Sequence, residues 1–238
     1  MKYKYLLFDL DGTLLHFDPN EFIRSYLGAA SKYFIDLIPD PQKFISELLK
    51  STDVMEKGDD PTTTTLEEFE RDFCPKFEAD CNVIRQRFFD FYQTDFKVIE
   101  PLITKMDGAV ELLNMIKENH PETKIVLATN PVFPFISIER RMEWGGISQD
   151  YFDLITHAEN STYCKGNKKY WDEINEKIGG TPEESIVIGN DGYRDMSAKL
   201  YGFDTFLVEE NLENVELMTT EIQPDYRGTL ADLYDLLK

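Results

Sequence analysis

Residues 3–15 read Tyr3-Lys4-Tyr5-Leu6-Leu7-Phe8-Asp9-Leu10-Asp11-Gly12-Thr13-Leu14-Leu15. A hydrophobic run passes straight into two carboxylates one residue apart, and a glycine follows at once. Read as a strand, the run carries Asp9 and Asp11 to the carboxyl end of a sheet. In open α/β folds that edge is where ligands bind. Apolar design that stops at clustered acids asks for a chemical reason.

Downstream, the periodicity divides the chain. From about Asp18 to Lys97 it is helical. Phe22, Tyr26, Ala29, Tyr33 and Leu37 keep helical spacing, and Asp18-Pro19-Asn20-Glu21 supplies an N-cap, a first-turn proline and a capping-box acid. Pro39 closes that helix, and Asp40-Pro41 opens a shorter one with Phe44, Ile45, Leu48 and Leu49. Thr65-Leu66-Glu67-Glu68 has the capping-box pattern. Val83, Ile84, Phe88, Phe91 and Tyr92 mark a last helix before Pro101. From Asp107 onward helices (109–118, 135–144, 168–178, 195–201, 230–237) alternate with strands (125–128, 152–156, 186–188, 205–208). Such alternation predicts a parallel sheet with helices on both faces. The expected division is residues 1–16 with 100–238 as the α/β core and 17–99 as an inserted all-helical domain.

Three apolar strands then end in polar groups: Asp9 and Asp11, Thr129-Asn130, and Asn190-Asp191 with Asp195 soon after. In a parallel sheet these ends share one edge. Singly, each is an ordinary turn residue or helix cap, and Lys165 alone is one more surface lysine. Their convergence fits phosphoryl transfer to a carboxylate. Asp9 is the candidate nucleophile, and Asp11 the group that protonates the leaving oxygen and then activates water. Thr129 and neighbouring backbone amides are candidates to hold phosphate oxygens, with Lys165 opposing their charge. A hard divalent cation such as Mg²⁺ suits the acids, with Asp195, Asp191 or both beside Asp9.

Composition sets outer limits. The net charge of −20 over 238 residues repels nucleic acid and anionic membranes. No uncharged segment approaches membrane-spanning length, and the amino end lacks a signal-peptide cleavage pattern. Cys74, Cys81 and Cys164, an odd number irregularly spaced, are not expected to form a disulfide framework, so a cytoplasmic protein is expected.

The chain resembles the haloacid dehalogenase-like (HAD) hydrolase superfamily over nearly its whole length. Phe8-Asp9-Leu10-Asp11-Gly12-Thr13-Leu14 resembles its first motif and Ala128-Thr129-Asn130 its second. Lys165, ahead of Tyr170-Trp171, resembles its third, and Ile188-Gly189-Asn190-Asp191-Gly192-Tyr193-Arg194-Asp195 its fourth. The resemblance implies a Rossmann-like core with an inserted C1 helical cap and an aspartyl-phosphate route. It also implies metal contacts from Asp9, Asp195 and the Asp11 carbonyl, and phosphate contacts from Thr129, Asn130 and Lys165. Two departures stand out. Gly166 follows Lys165 where the family usually has proline, which leaves Lys168 and Lys169 as competitors. Asn190 holds a place often taken by aspartate, which leaves Asn190 and Asp191 as alternatives facing the metal. The expected function is a Mg²⁺-dependent phosphatase acting on a small phosphorylated metabolite, as monomer or homodimer. A phosphomutase of the β-phosphoglucomutase type and a non-catalytic binding protein are the alternatives. Asp11 argues against dehalogenation, which uses a lone nucleophilic aspartate.

Overall fold

In the computed structural model, which describes residues 2–238, the opening run becomes strand β1 (Tyr5–Phe8). A short pair follows, β2 (Leu15–His16) with the distant β3 (Thr104–Lys105), antiparallel. Between them lie α1 (Pro19–Tyr33), α2 (Pro41–Lys57), α3 (Thr65–Phe73) and α4 (Cys81–Gln93). The remainder alternates: α5 (Ala109–Asn119), β4 (Lys124–Leu127), α6 (Phe135–Trp144), β5 (Leu154–Ile155), α7 (Lys168–Ile178), β6 (Ser185–Gly189), β7 (Asp204–Val208), β8 (Tyr226–Gly228) and α8 (Leu230–Leu237).

Six strands form one parallel sheet in the order β5-β4-β1-β6-β7-β8. Phe8 is level with Leu127 on one side and Ile188 on the other. The carboxyl ends of β1, β4 and β6 therefore meet where the winding reverses direction, the crevice position of a doubly wound sheet. β1 reads as an unbroken apolar run because both faces are covered. Leu6 and Phe8 belong to the large core that continues into the helical cap, and Leu7 packs with Val126, Val187 and Trp171 on the opposite face.

The cap is built on aromatic contacts. Phe34 lies 4.8 Å from Phe44 and 4.6 Å from Phe88 between ring centroids. Tyr26 reaches the core at Phe133 (5.5 Å), and Phe96 reaches Trp144 (5.3 Å). The Asp18 carboxylate accepts from the Asn20 and Glu21 amides, and Asp40 from the Lys43 amide, as the capping patterns require.

Several expectations need correction. The helix beginning at Pro41 is longer than its predecessor, 17 residues against 15. No glycine or proline interrupts its apolar stripe of Phe44, Leu48 and Met55 before Gly58. The capping box before α3 belongs to Thr64 with Glu67, not to Thr65. Thr65 is instead fully buried, its hydroxyl donating to the carbonyls of Pro131 (2.7 Å) and Ala158 (3.3 Å). The Thr65 and Leu66 amides donate to the carbonyls of Ser161 and Ala158, so the first turn of α3 is stitched to core loops. The segment read as helix at 195–201 is a 3₁₀ turn, Met196–Tyr201. Finally, Cys74 and Cys81 form a disulfide, with Cα atoms 5.3 Å apart. A turn at Cys74–Lys76 reverses the chain after α3 and returns the first residue of α4 beside it, an adjacency invisible in the spacing. Cys164 is free and buried. No helix among the described residues is long and apolar enough to cross a membrane.

Candidate active site

Asp9 follows the last residue of β1, its amide held by the Ile188 carbonyl at 2.8 Å. The turn beyond it needs glycine at position 12, where φ is +82° and any Cβ would lie 2.3 Å from the Asn190 side-chain nitrogen. Gly189, at the end of β6, has the same importance for a different reason. A Cβ there would sit 2.0 Å from an Asp195 carboxylate oxygen, so the missing side chain lets Asp195 pack against the strand.

Lys165 ties the cluster together. Its ammonium donates to Asp9 Oδ1 at 2.5 Å and to Asp195 Oδ1 at 2.6 Å, and all three side chains are nearly or fully buried. Burial alone would lower the pKa of Lys165, but the charges of Asp195 and Asp9 outweigh it and hold the ammonium above the ordinary lysine value. Burial pushes Asp195 up to about 7 against the pull of Lys165, with Asp9 and Asp191 adding to the rise. The competing lysines turn elsewhere, Lys168 to Asp172 (2.6 Å) and Lys169 to Asp59 (2.7 Å). Gly166 has φ +90°. Proline, fixed near −65°, cannot adopt that backbone, which accounts physically for the departure after Lys165.

The remaining sequence candidates divide. Thr129 is buried, and its carbonyl accepts from Thr156 Oγ1 (2.7 Å) and the Tyr170 hydroxyl (3.0 Å). Asn130 accepts from the Lys165 amide (3.1 Å) and donates to Glu56 of the cap (2.8 Å). Asn190 accepts from the Thr13 hydroxyl (3.1 Å) and donates to the Asn211 carbonyl (2.6 Å). Asp191 accepts from the Tyr193 and Arg194 amides (2.8 and 2.7 Å) and from Asn214 Nδ2 (2.6 Å). Its oxygens therefore organise the turn that presents Asp195. Among the described residues, no three acidic, histidine or cysteine groups converge as a ready metal cage. Mg²⁺ needs only one or two carboxylates beside waters and phosphate oxygens. Asp9 and Asp195, sharing one lysine in a buried site that drives a carboxyl up to about 7, are a donor pair that fits it.

Asp11 stands apart from this cluster. One carboxylate oxygen pairs with Arg141, and the other is buried without a hydrogen-bond partner. Loss of water raises its carboxyl above the ordinary range, Arg141 pulling against and Asp9 adding. Arg141 is itself buried, its guanidinium 4.8 Å from the Phe133 ring centre. Sequence reading passed over Arg141, although a cation on the apolar stripe of Ile138 and Met142 was a usable signal. It also passed over Glu56, which pairs with Arg194 (2.8 Å) as well as Asn130; nothing in the helical pattern distinguished that glutamate. Within the cap, Phe17 and Tyr26 are buried in packing and Arg24 faces solvent.

A Rossmann-like core under a helical cap, with acids and a lysine at the switch point of the sheet, defines a capped α/β hydrolase. The chain belongs to the haloacid dehalogenase-like hydrolase family, whose sequence model matches residues 3–198. It is similar to PpaX of Caldanaerobacter subterraneus, which carries a provisional pyrophosphatase name, at 24% identity over all of this chain and 94% of that one. A shorter stretch, 37% of this chain and 36% of the relative, is 38% identical to the pyrimidine 5'-nucleotidase YjjG of Escherichia coli. The fold matches a magnesium-bound structure of YfnB from Bacillus subtilis, provisionally assigned as a HAD-hydrolase, with TM-score 0.59 and 20% identity over 100% of this chain and 99% of that one. The protein is therefore a hydrolase.

Proposed function

We propose that the protein is a Mg²⁺-dependent phosphatase of a small phosphorylated metabolite, working through an aspartyl-phosphate on Asp9. The observation that carries this reading is the division of labour between two neighbouring acids. Asp9 is clamped by a buried lysine, whereas Asp11 is held separately by Arg141 with its carboxyl raised. An Asp9 oxygen attacks phosphorus, and the bond from phosphorus to the leaving oxygen breaks as Asp11 gives that oxygen its proton. Asp11, now a carboxylate, takes a proton from water as the water attacks the same phosphorus and frees Asp9. Thr129, Asn130 and Lys165 hold the phosphoryl oxygens. Mg²⁺, held by Asp9, Asp195 and the Asp11 carbonyl, would neutralise charge between nucleophile and phosphate. The phosphatase-type names of PpaX and YjjG and the magnesium in YfnB support this assignment.

The cap, residues 17–99 in this reading, closes over the leaving group. A cytoplasmic location would keep Cys74 and Cys81 as thiols, so the disulfide is at odds with that part of the composition-based expectation. Hydrolysis of p-nitrophenyl phosphate with and without Mg²⁺ tests the function. Asp9→Asn should lower the rate by more than about 10³-fold, or about 4 kcal/mol of barrier. Activity retained in that variant, or no metal-dependent hydrolysis across a phosphometabolite panel, would overturn it.

A further inference from the structure

An apolar cavity of about 500 Å³ lies between the cap and the core, and the proposed reaction does not use it. Its walls come from α1–α4, from Cys74, from residues 132–136 beyond Asn130, and from Ala158 and Glu159; none of Asp9, Asp11, Lys165 or Asp195 lines it. The space is held open. Phe88 is braced from behind by Phe34 (4.6 Å) and Phe73 (5.8 Å), and Tyr92 by Phe96 (5.1 Å). Phe133 is fixed between Tyr26 (5.5 Å) and the Arg141 guanidinium (4.8 Å). Rings anchored in close-packed surroundings cannot swing inward to fill the gap.

The polar groups of the wall are already committed. Glu70 accepts from Arg85 Nε (2.6 Å), and the Arg85 Nη1 group donates to Asn82 (3.1 Å). Glu159 accepts from the Phe135 amide (2.9 Å) and meets His157 (2.7 Å). Thr52 donates to the Leu48 carbonyl (2.9 Å), and the Tyr26 and Tyr92 hydroxyls bond each other (3.0 Å). Nothing is left to receive a charged head group. Where the lining reaches the surface, apolar Ile23 (40% exposed), Leu49 (46%) and Phe89 (46%) stand beside the paired charges of Arg85 and Glu159.

We propose that this cavity binds an uncharged apolar small molecule, of the size of a two- or three-ring aromatic or a short alkyl chain, at a site separate from the phosphate-binding one. The volume lies in the range of ligand pockets, and dry apolar cavities accept apolar guests. The net charge of −20 disfavours organic anions.

The test is a fluorescence titration of the full chain with N-phenyl-1-naphthylamine, an uncharged apolar probe. Saturable binding of one probe per chain is expected, unaffected by excess inorganic phosphate. Leu49→Trp and Ile23→Trp, at exposed rim positions and each melting as the parent does, should each weaken it by about tenfold or more, about 1.4 kcal/mol. No saturable binding, unchanged affinity in both variants, or displacement by phosphate would each overturn the proposal.

Discussion

Lys165→Met removes the one cation that Asp9 and Asp195 share in the buried cluster. Breaking a buried ion pair by deleting one partner costs about 3–5 kcal/mol, because the remaining charge stays buried. At about 2–4 °C per kcal/mol for a chain of this length, the melting temperature should fall by roughly 6–20 °C. The loss should depend on pH, and its direction follows from Asp195. That carboxyl is pushed by burial from its ordinary 3.8 up to about 7. Between about pH 4 and 7 the folded state holds a proton that the unfolded chain has released, so this group's contribution to stability falls as pH rises. Lys165 opposes the shift, so its removal drives the carboxyl higher and extends the unfavourable window upward. The deficit of the variant should therefore be larger at pH 8 than at pH 5. Calorimetric melting of both proteins, without metal, at the two pH values decides the matter. A deficit under about 1 kcal/mol, or one that is equal or smaller at pH 8, would refute the charge-locked cluster. Adding Asp195→Asn to the variant should recover part of the loss at pH 8.

Mg²⁺ at a hundred times its Kd should stabilise the protein by about 2.7 kcal/mol; differential scanning fluorimetry should show a smaller gain at pH 5.5, where Asp195, pushed up to about 7, holds a proton that the cation must displace. Arg141→Met removes the charge that lowers the Asp11 carboxyl, so the limb of the kcat/KM profile assigned to Asp11 should move to higher pH, and an unmoved limb would separate Arg141 from the acid. Glu56→Gln weakens the contact with partly exposed Arg194, so stability should change by about 1 kcal/mol or less; stopped-flow comparison of the two proteins should show faster product release, since this glutamate joins the cap to Asn130 and Arg194.

Much of the core was legible because its signals are local. The helices at 168–178 and 230–237 have clear boundaries, with Asn167 capping one and Gly179, at φ +70°, closing it. The convergence of β1, β4 and β6 followed from parallel alternation alone. Elements with no period to read escaped notice, namely the two-residue strands β2 and β3 and the three-residue β8. Four consecutive threonines, Thr62 to Thr65, offer equivalent caps, and only tertiary contact distinguishes Thr64 from Thr65. At the site, residue type nominated Asp9, Asp11, Asp191 and Asp195 but not their partners, and the structure joins only Asp9 and Asp195 through one lysine. Asp191 looks like a ligand in the sequence, yet in three dimensions its oxygens serve the turn. Arg141 and Glu56 come from helices whose apolar faces dominated the reading.

The stitching of α3 to the core has a kinetic consequence. A cap joined to its core only by two linkers could swing freely, but here the Thr65 and Leu66 amides donate to Ser161 and Ala158 across the boundary. Any lifting of α3 must break both bonds and bare a buried hydroxyl. These amides then become reporters: if α3 travels with the cap, they exchange with solvent only as often as the cap opens, and a single pair of signals times the step that admits substrate. If they stay protected while the substrate turns over, the hinge lies within the bundle, and α3 is in mechanical terms a part of the floor.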